Sequence, residues 1–334
     1  MKRIHVVLAV IRGAGDRVLL SRRAADAHLG GLWEFPGGKV EAGETEPEAL
    51  ARELEEELGL RPLDCAPLAT VSHDYPDRQV RLSAWEVRDW LGQPQGREGQ
   101  PLSWVRCRDL PTMPFPAANG AIVSAAMLPD CWHITPALCT AAAAEDWARA
   151  RLPAASDHGP DDGRPVVPAG RQPRAGWLLR QPGWSSAQLI DGACRLLALA
   201  GPDGPSLLLH GDPALLARVP GAAGVHLPAA VASRLLAATP GRPVGLRPGQ
   251  LLSVAAHDAH ELSLAMALQA DCALLSPLRP TASHPGAEAL GWSRWRRLVA
   301  DAPLPVYALG GMHPADLDAV RAAGGRGVAG IGGF

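Results

Sequence analysis

The sequence predicts an α/β protein of two units in tandem, a mixed α/β unit over residues 1–128 and a closed (β/α)8 TIM barrel over residues 129–334. Three observations predict it. The chain has 334 residues, enough for two apolar cores when a domain takes about 100–200 residues. Its first part reads as strands interrupted by one acidic helical stretch. Beyond Leu128, eight short apolar runs alternate with stretches that are mostly Ala/Leu-rich and of helical length, the pattern of parallel strands closed by crossover helices.

In the first unit, residues 4–12 and 17–22 have the apolar patterning of strands, followed by Gly- and Pro-containing turns and a helical pattern from about Pro47 to Leu58. Further strands are expected near 66–75 and 80–88. Pro116 suits a first helical turn and residues 117–127 hold good helix formers, so a last helix closes the unit. The barrel strands are expected at 131–135, 177–180, 207–210, 224–227, 244–246, 272–276, 306–309 and 327–331. The first connection, residues 152–175, is rich in Pro, Gly and Asp. It lacks the apolar area to order itself, and a mobile loop is expected there.

Composition narrows the function classes. Hydrophobic residues make up 47% and charged residues 20%, a globular balance, and no window reaches the roughly 18 apolar residues of a spanning helix. The opening segment is basic and apolar but has no small-residue cleavage site and runs straight into a strand. A folded cytoplasmic protein that does not insert in membranes is expected. Cys65, Cys107, Cys131, Cys139, Cys194 and Cys272 form no Cys-x-x-Cys pair, so buried, reduced thiols are expected. A net charge of −2 provides no field for direct nucleic-acid binding.

The most informative segment runs from Gly37-Gly38-Lys39 through Glu44 to Arg52-Glu53-Leu54-Glu55-Glu56-Glu57-Leu58-Gly59. On a helix, Glu53, Glu56 and Glu57 stand at i, i+3 and i+4, so three carboxylates share one face while Leu50, Leu54 and Leu58 share another. Crowded carboxylates repel one another, and an all-oxygen face calls for hard divalent cations, Mg2+ or Mn2+. A polyphosphate substrate would bring further oxygens. Glu48 and Glu55 read as solvated helix surface, and Gly59 as the helix stop.

This segment matches the Nudix box, G-x5-E-x7-R-E-U-x-E-E-x-G-U with U aliphatic, at every specified position. Residues 21–28, 34–39, 75–78, 98–101 and 115–119 extend the likeness, and residues 1–127 resemble Nudix hydrolases of the MutT, 8-oxo-dGTP diphosphatase, type. The resemblance implies an α/β/α sandwich and cation-dependent attack of water on phosphorus, giving a nucleoside monophosphate and pyrophosphate. It also implies Gly37 as a carbonyl ligand, Glu53, Glu56, Glu57 and Glu98 as ligands or base, and Arg52 as their orienting partner. Arg23 is implied as a phosphate contact and His28 as part of the nucleotide pocket, together with Glu34, Phe35, Pro36, Gly38 and Lys39. The role implied is to keep oxidised precursors such as 8-oxo-dGTP out of DNA.

Oxidation at C8 turns guanine N7 from an acceptor into a donor. A fixed acceptor there, for which the family's candidate is the backbone carbonyl near Phe35, discriminates by about 1–3 kcal/mol per contact. Asn119, the chain's only Asn, offers both a carbonyl and an amide to a base edge, or alternatively starts a helix. Arg78 and Tyr75 are candidates to flank the base.

From about Asp130 onward the chain resembles thiamine phosphate synthase and its TenI-like relatives, on Trp132-His133-Ile134-Thr135-Pro136, Leu179-Arg180, Gly224-Val225-His226-Leu227, Pro280-Thr281, Leu309-Gly310-Gly311 and the glycine-rich end through Gly332. Arg180, Gly310, Gly311 and Gly332 are the implied phosphate contacts, for a phosphorylated thiazole or pyrimidine. The synthase pattern is eroded: His210-Gly211 stands where the family has Asn-Asp, Pro228-Ala229 replaces Gly-Gln, Gln181-Pro182 replaces a basic residue, and Ser283-His284 replaces Thr-Lys. Without acids for the cation, synthesis is not expected, although Asp212 is a candidate to shift into the role. His257, Asp258, His260 and Glu261 read as helix start and surface pairing rather than a metal site. Three readings follow: a nucleotide-sanitising hydrolase with a non-synthetic barrel, a thiamine-pathway protein whose Nudix unit clears faulty diphosphates, or a hydrolase whose barrel is an interaction module.

Overall fold

A computed structural model of the chain describes residues 2–24, 30–74, 78–152, 173–281 and 288–332. The expected mobile loop at 152–175 falls almost wholly outside the described residues. Two compact units divide the chain, the first holding Met1–Leu128 and the second most of the remainder. No helix among the described residues is long and apolar enough to cross a membrane.

The first unit runs β1 (Lys2–Ile11), β2 (Arg17–Arg22), β3 (Trp33–Glu34), α1 (Glu46–Leu58), β4 (Arg61–Asp74), β5 (Arg78–Leu91), β6 (Leu102–Arg106) and α2 (Gly120–Met127). One sheet has the order β1-β5-β4, with β1 parallel to β5, and a second has the antiparallel order β3-β2-β6. Alternation along β1 divides two cores. Val7, Ala9 and Ile11 pack with Leu50, Leu54 and Leu58 of α1, whereas Leu8 and Val10 pack with Ile122, Val123 and Ala126 of α2. The result is an α/β/α sandwich. β3 and β6, short strands without a clean alternation, have no counterpart in the sequence reading.

The second unit is a closed, all-parallel barrel of β7 (Cys131–Ile134), β8 (Ala175–Leu179), β9 (Ser206–His210), β10 (Gly224–Leu227), β11 (Leu251–Ala256), β12 (Cys272–Leu275), β13 (Val306–Leu309) and β14 (Gly327–Gly330). Its helices are α3 (Ala141–Arg149), α4 (Ser186–Ala200), α5 (Ala229–Ala238), α6 (Ala259–Ala267), α7 (Gly291–Ala300) and α8 (Leu317–Ala322). Between β9 and β10 the crossover helix is reduced to a 3-10 turn at Pro213–Ala217. The fifth barrel strand is not at 244–246, as the apolar run predicts, but at Leu251–Ala256, and Val244 is 88% exposed. Pro243 and Pro248, with Gly245 between them, deny that triplet a ladder, whereas the run from Leu251 is uninterrupted.

Asp130 closes the barrel's start. Its carboxylate accepts from Arg321 at 2.7 Å, Arg326 at 3.0 Å and the Arg174 backbone N–H at 2.9 Å. Burial alone would raise its pKa, but Arg326, Arg174 and Arg321 hold it well below the usual carboxylate range. All six cysteines are free, and Cys107, Cys131 and Cys272 are buried as expected. Cys139 and Cys194 are exposed instead. Cys194 lies off the apolar stripe of α4 that buries Ala193 and Leu196.

Candidate active site

Three local devices shape the acidic helix. Thr45 precedes α1 and its backbone N–H donates to Glu48 at 2.8 Å, Pro47 sits in the first turn, and Gly59 ends the helix in the left-handed region at φ 70°. Leu50, Leu54 and Leu58 are fully buried, which turns Glu53 and Glu57 to the half-buried flank and leaves Glu56 exposed. Glu48 is spent on the cap, and Glu55 pairs with Arg97 at 2.9 Å.

The glycine segment lies between β1 and this flank. Val7 donates to the Gly38 carbonyl at 2.9 Å, Ala9 to that of Pro36 at 2.7 Å, and Val40 to that of His5 at 3.0 Å. Gly37 has φ 141°, and a Cβ there would stand 2.2 Å from the Val7 carbonyl oxygen, so the position excludes side chains. A Cβ on Gly38 would fall 2.3 Å from the Glu53 carboxylate. With both positions bare, the Gly37 N–H reaches Oε2 of Glu57 at 3.0 Å.

Arg52 organises the carboxylates. Its Nε and Nη2 grip Glu44 at 2.8 and 3.0 Å, Nη2 also donates to the Lys39 carbonyl at 3.0 Å, and Nη1 reaches Glu53 at 2.9 Å and Glu56 at 3.2 Å. The bond from Arg52 holds the Glu44 carboxyl down to about 2. Glu57 moves the other way, to about 7, mainly through burial, with repulsion from Glu34, Glu53 and Glu98 added and the Gly37 N–H working against it. Burial also raises Glu34, against the opposing pull of its ion pair with Arg23.

Glu98 reaches this cluster on a loop that caps the C-terminal end of α1. Gln95 donates to the Leu58 carbonyl at 3.0 Å, Arg97 to that of Glu57 at 2.9 Å, and the Gln100 side chain to the Glu57 carbonyl at 3.1 Å. In the sequence Glu98 is a candidate site residue and Gln100 falls within the 98–101 likeness without a role of its own, whereas Arg97 carries no signal. The donor set is entirely oxygen, and Glu57 carries charge repulsion that the Gly37 N–H offsets only in part, both of which fit a hard divalent cation. Among the described residues no group of three His, Cys, Asp or Glu side chains is already gathered tightly enough to hold an ion.

A model described as NUDIX domain matches residues 6–125. The 8-oxo-dGTP diphosphatase of Escherichia coli (strain K12) is 40% identical over 124 residues, 37% of this chain and 96% of that protein. The chain belongs to the Nudix hydrolases of the MutT type. The CTP pyrophosphohydrolase of Escherichia coli (strain K12) is 39% identical to the Nudix unit over 127 residues, 38% of this chain and 93% of that protein. A solved structure from a study of MutT from Aliivibrio salmonicida and Vibrio cholerae shares 38% identity and covers 38% of this chain and 98% of that one, with a TM-score of 0.34. Residues 175–334 match the model described as thiamine monophosphate synthase. The thiamine phosphate pyrophosphorylase structure from Pyrococcus furiosus covers 60% of this chain and 85% of that one at 15% identity, with a TM-score of 0.42.

In the Nudix unit Phe35 is fully buried and stacks on Phe115 with ring centroids 5.4 Å apart, so only its backbone is available to a ligand. Asn119 is 5% exposed and precedes α2 without a side-chain capping bond, so the helix-start use of Asn is not made. The Lys39 side chain is exposed. Arg78 opens β5, but its side chain, like His28 and Tyr75, lies outside the described residues.

At the barrel mouth the Arg180 guanidinium bonds to no described residue, and its charge helps depress His210 and His226, which burial chiefly holds down to about 4 and about 3. Gln181 is committed to the loop, accepting from Leu138 at 3.0 Å and donating to Thr135 at 3.0 Å. Asp212 caps the 3-10 turn through Ala214 at 2.8 Å. Gly310 has φ 97° and a Cβ there would meet Pro277 Cα at 2.8 Å, a packing demand independent of any ligand, whereas Gly332 faces open space. His257 pairs with Glu261 at 2.7 Å and Asp258 caps α6, as the surface reading expects. Ser283 and His284 lie outside the described residues.

Proposed function

We propose that the Nudix unit hydrolyses oxidised purine nucleoside triphosphates, 8-oxo-dGTP foremost, to the monophosphate and pyrophosphate with Mg2+ or Mn2+, in the cytoplasm. The observation that carries this reading is the meeting of the Gly37-Gly38 backbone with the half-buried carboxylates of Glu53 and Glu57, flanked by the Arg52 clamp. Glu53, Glu56, Glu57, Glu98 and the Gly37 carbonyl would hold the divalent ions. Bound there, such ions neutralise phosphate oxygens and lower the pKa of water.

One of these glutamates takes a proton from water as its oxygen bonds to phosphorus. The bridging P–O bond between the monophosphate and the pyrophosphate breaks, and the departing oxygen keeps the bond electrons. Arg23, held by Glu34, meets a phosphate oxygen. Asn119 and the Phe35 backbone read the base. Pyrophosphate release from 8-oxo-dGTP, dGTP and CTP tests the reading. Faster turnover of the oxidised nucleotide, abolished by Glu53→Gln, is expected; cation-independent release, or a fully active Glu53→Gln, defeats it.

For the barrel, the Arg180 guanidinium, which bonds to no side chain or backbone group among the described residues, favours retained binding of a phosphorylated thiazole or pyrimidine near Gly310, Gly311 and Gly332, without synthesis. Among the described residues Asp212 is occupied as a cap and Gln181 as a loop tie, so neither stands free to serve the cation or diphosphate of the synthase reaction. Calorimetry with thiazole phosphate and pyrimidine phosphate tests this. No heat with either, together with an altered oligomeric state on deleting residues 130–334, favours the interaction-module reading.

A further inference from the structure

The carboxylates of Glu57 and Glu98 come from elements far apart in sequence, so their separation depends on how the loop 92–101 is fastened to α1. Two kinds of bond fasten it. Backbone N–H groups of Gln95 and Arg97 take the orphan carbonyls of Leu58 and Glu57 at 3.0 and 2.9 Å, and the Arg97 side chain adds a bond to the Glu55 carbonyl at 2.8 Å. Gln100 does something different. Its Oε1 accepts from the backbone N–H of Glu98 at 2.9 Å while its Nε2 donates to the backbone carbonyl of Glu57 at 3.1 Å.

One amide therefore bridges the main chain of two acidic residues of the site. Only one orientation of that amide satisfies both partners, because a flip sets N–H against N–H and oxygen against oxygen. The loop also presents Gln100 rigidly: Gly99 donates to the Gly96 carbonyl at 3.0 Å, and a Cβ on Gly96 would lie 2.1 Å from the Gln100 carbonyl oxygen.

We infer that Gln100 is a positioning residue whose side-chain amide sets the distance between Glu57 and Glu98 and so tunes the affinity of the Nudix unit for its divalent ion. This rests on the reading of Glu57 and Glu98 as ion-holding groups. Partners that orient ligands typically cost tenfold to a hundredfold in metal affinity when removed, that is, roughly 10–100-fold here.

The test is Mn2+ titration of the full chain without nucleotide, read by the electron paramagnetic resonance of free Mn2+, with a thermal melt of each protein. Gln100→Leu and Glu98→Gln are both expected to weaken Mn2+ binding by that factor. Arg97→Met, which removes side-chain bonds to the same helix end but none to Glu98, is expected to bind Mn2+ like the parent. Hydrolysis by Gln100→Leu should recover as Mn2+ is raised, which a general loss of structure would not allow. Parent-like Mn2+ binding by Gln100→Leu alongside weak binding by Glu98→Gln overturns the inference and leaves the proposed function standing. Parent-like binding by Glu98→Gln removes Glu98 as a ligand and the inference with it. Should Gln100→Leu not fold, Gln100→Asn keeps the amide but is too short to span both bonds; weakened Mn2+ binding by this variant upholds the inference, and parent-like binding overturns it.

Discussion

The backbone N–H of Gly37 donates to Oε2 of Glu57 at 3.0 Å. This bond couples the glycine turn beside β1 to the acidic flank of α1. It also gives a crowded carboxylate one fixed donor, which partly offsets the burial and repulsion that push Glu57 up to about 7.

Gly38→Ala should separate geometry from stability. The added Cβ meets the end of the Glu53 side chain at 2.3 Å, which can swing aside. The melt should stay near the parent's while kcat falls by roughly a hundredfold, the typical effect of a small misplacement. Gly37→Ala meets the Val7 carbonyl oxygen instead, at 2.2 Å. It should cost about 1–3 kcal/mol or more in stability, measured by denaturant unfolding.

Protons and cations should compete at Glu57. A folded value near 7 lies above the ordinary carboxylate value of 4.5. The stability this group contributes is thus fully present below about 4.5 and lost as pH rises through about 7 in the ion-free chain. Cation binding requires the proton to leave, so Mn2+ affinity should fall by up to about tenfold per pH unit below 7. Calorimetric titrations across this range check it; a flat affinity would show that Glu57 does not control the site. Glu44, held at about 2 by Arg52, acts in a separate window: its contribution is present above about 4.5 and is lost only as pH falls toward 2.

Asn119→Ala should lower selectivity without unfolding α2, because the side chain makes no capping bond. Losing a buried polar contact to the base costs about 1–3 kcal/mol, roughly ten- to a hundredfold in kcat/KM for the preferred nucleotide. Kinetics on 8-oxo-dGTP and dGTP, with circular dichroism as control, would expose an unchanged ratio.

The barrel should be acid-labile through His226. This imidazole is 5% exposed, lies 2.8 Å from the Ser253 hydroxyl, and is held down to about 3, mainly by burial. Because the folded value lies below the ordinary 6.5, the stability is present above about pH 6.5 and is lost as pH falls toward 3. The loss is about 1.4 kcal/mol per pH unit for one such group. Urea midpoints should drop between about pH 6.5 and 4.5, and His226→Asn should flatten that slope. Equal slopes in the two proteins would remove His226 as the cause.

Much of the fold was legible because periodicity is local. The i, i+3, i+4 spacing of Glu53, Glu56 and Glu57 against Leu50, Leu54 and Leu58 is written along a single helix, and the two apolar faces of β1 follow from its alternation. The fifth barrel strand was not, since a short apolar triplet at 244–246 and the true strand at Leu251–Ala256 look alike until neighbouring strands select one.

By itself the amino-acid sequence determined the two-unit α/β plan, the family and the residues of the acidic helix. Tertiary structure alone decided that Glu57 sits near 7, that Glu98 is tied to it through Gln100, and that Asn119 is buried without capping a helix. Burial and through-space charge arise only when segments distant along the chain pack together, and no local pattern encodes them.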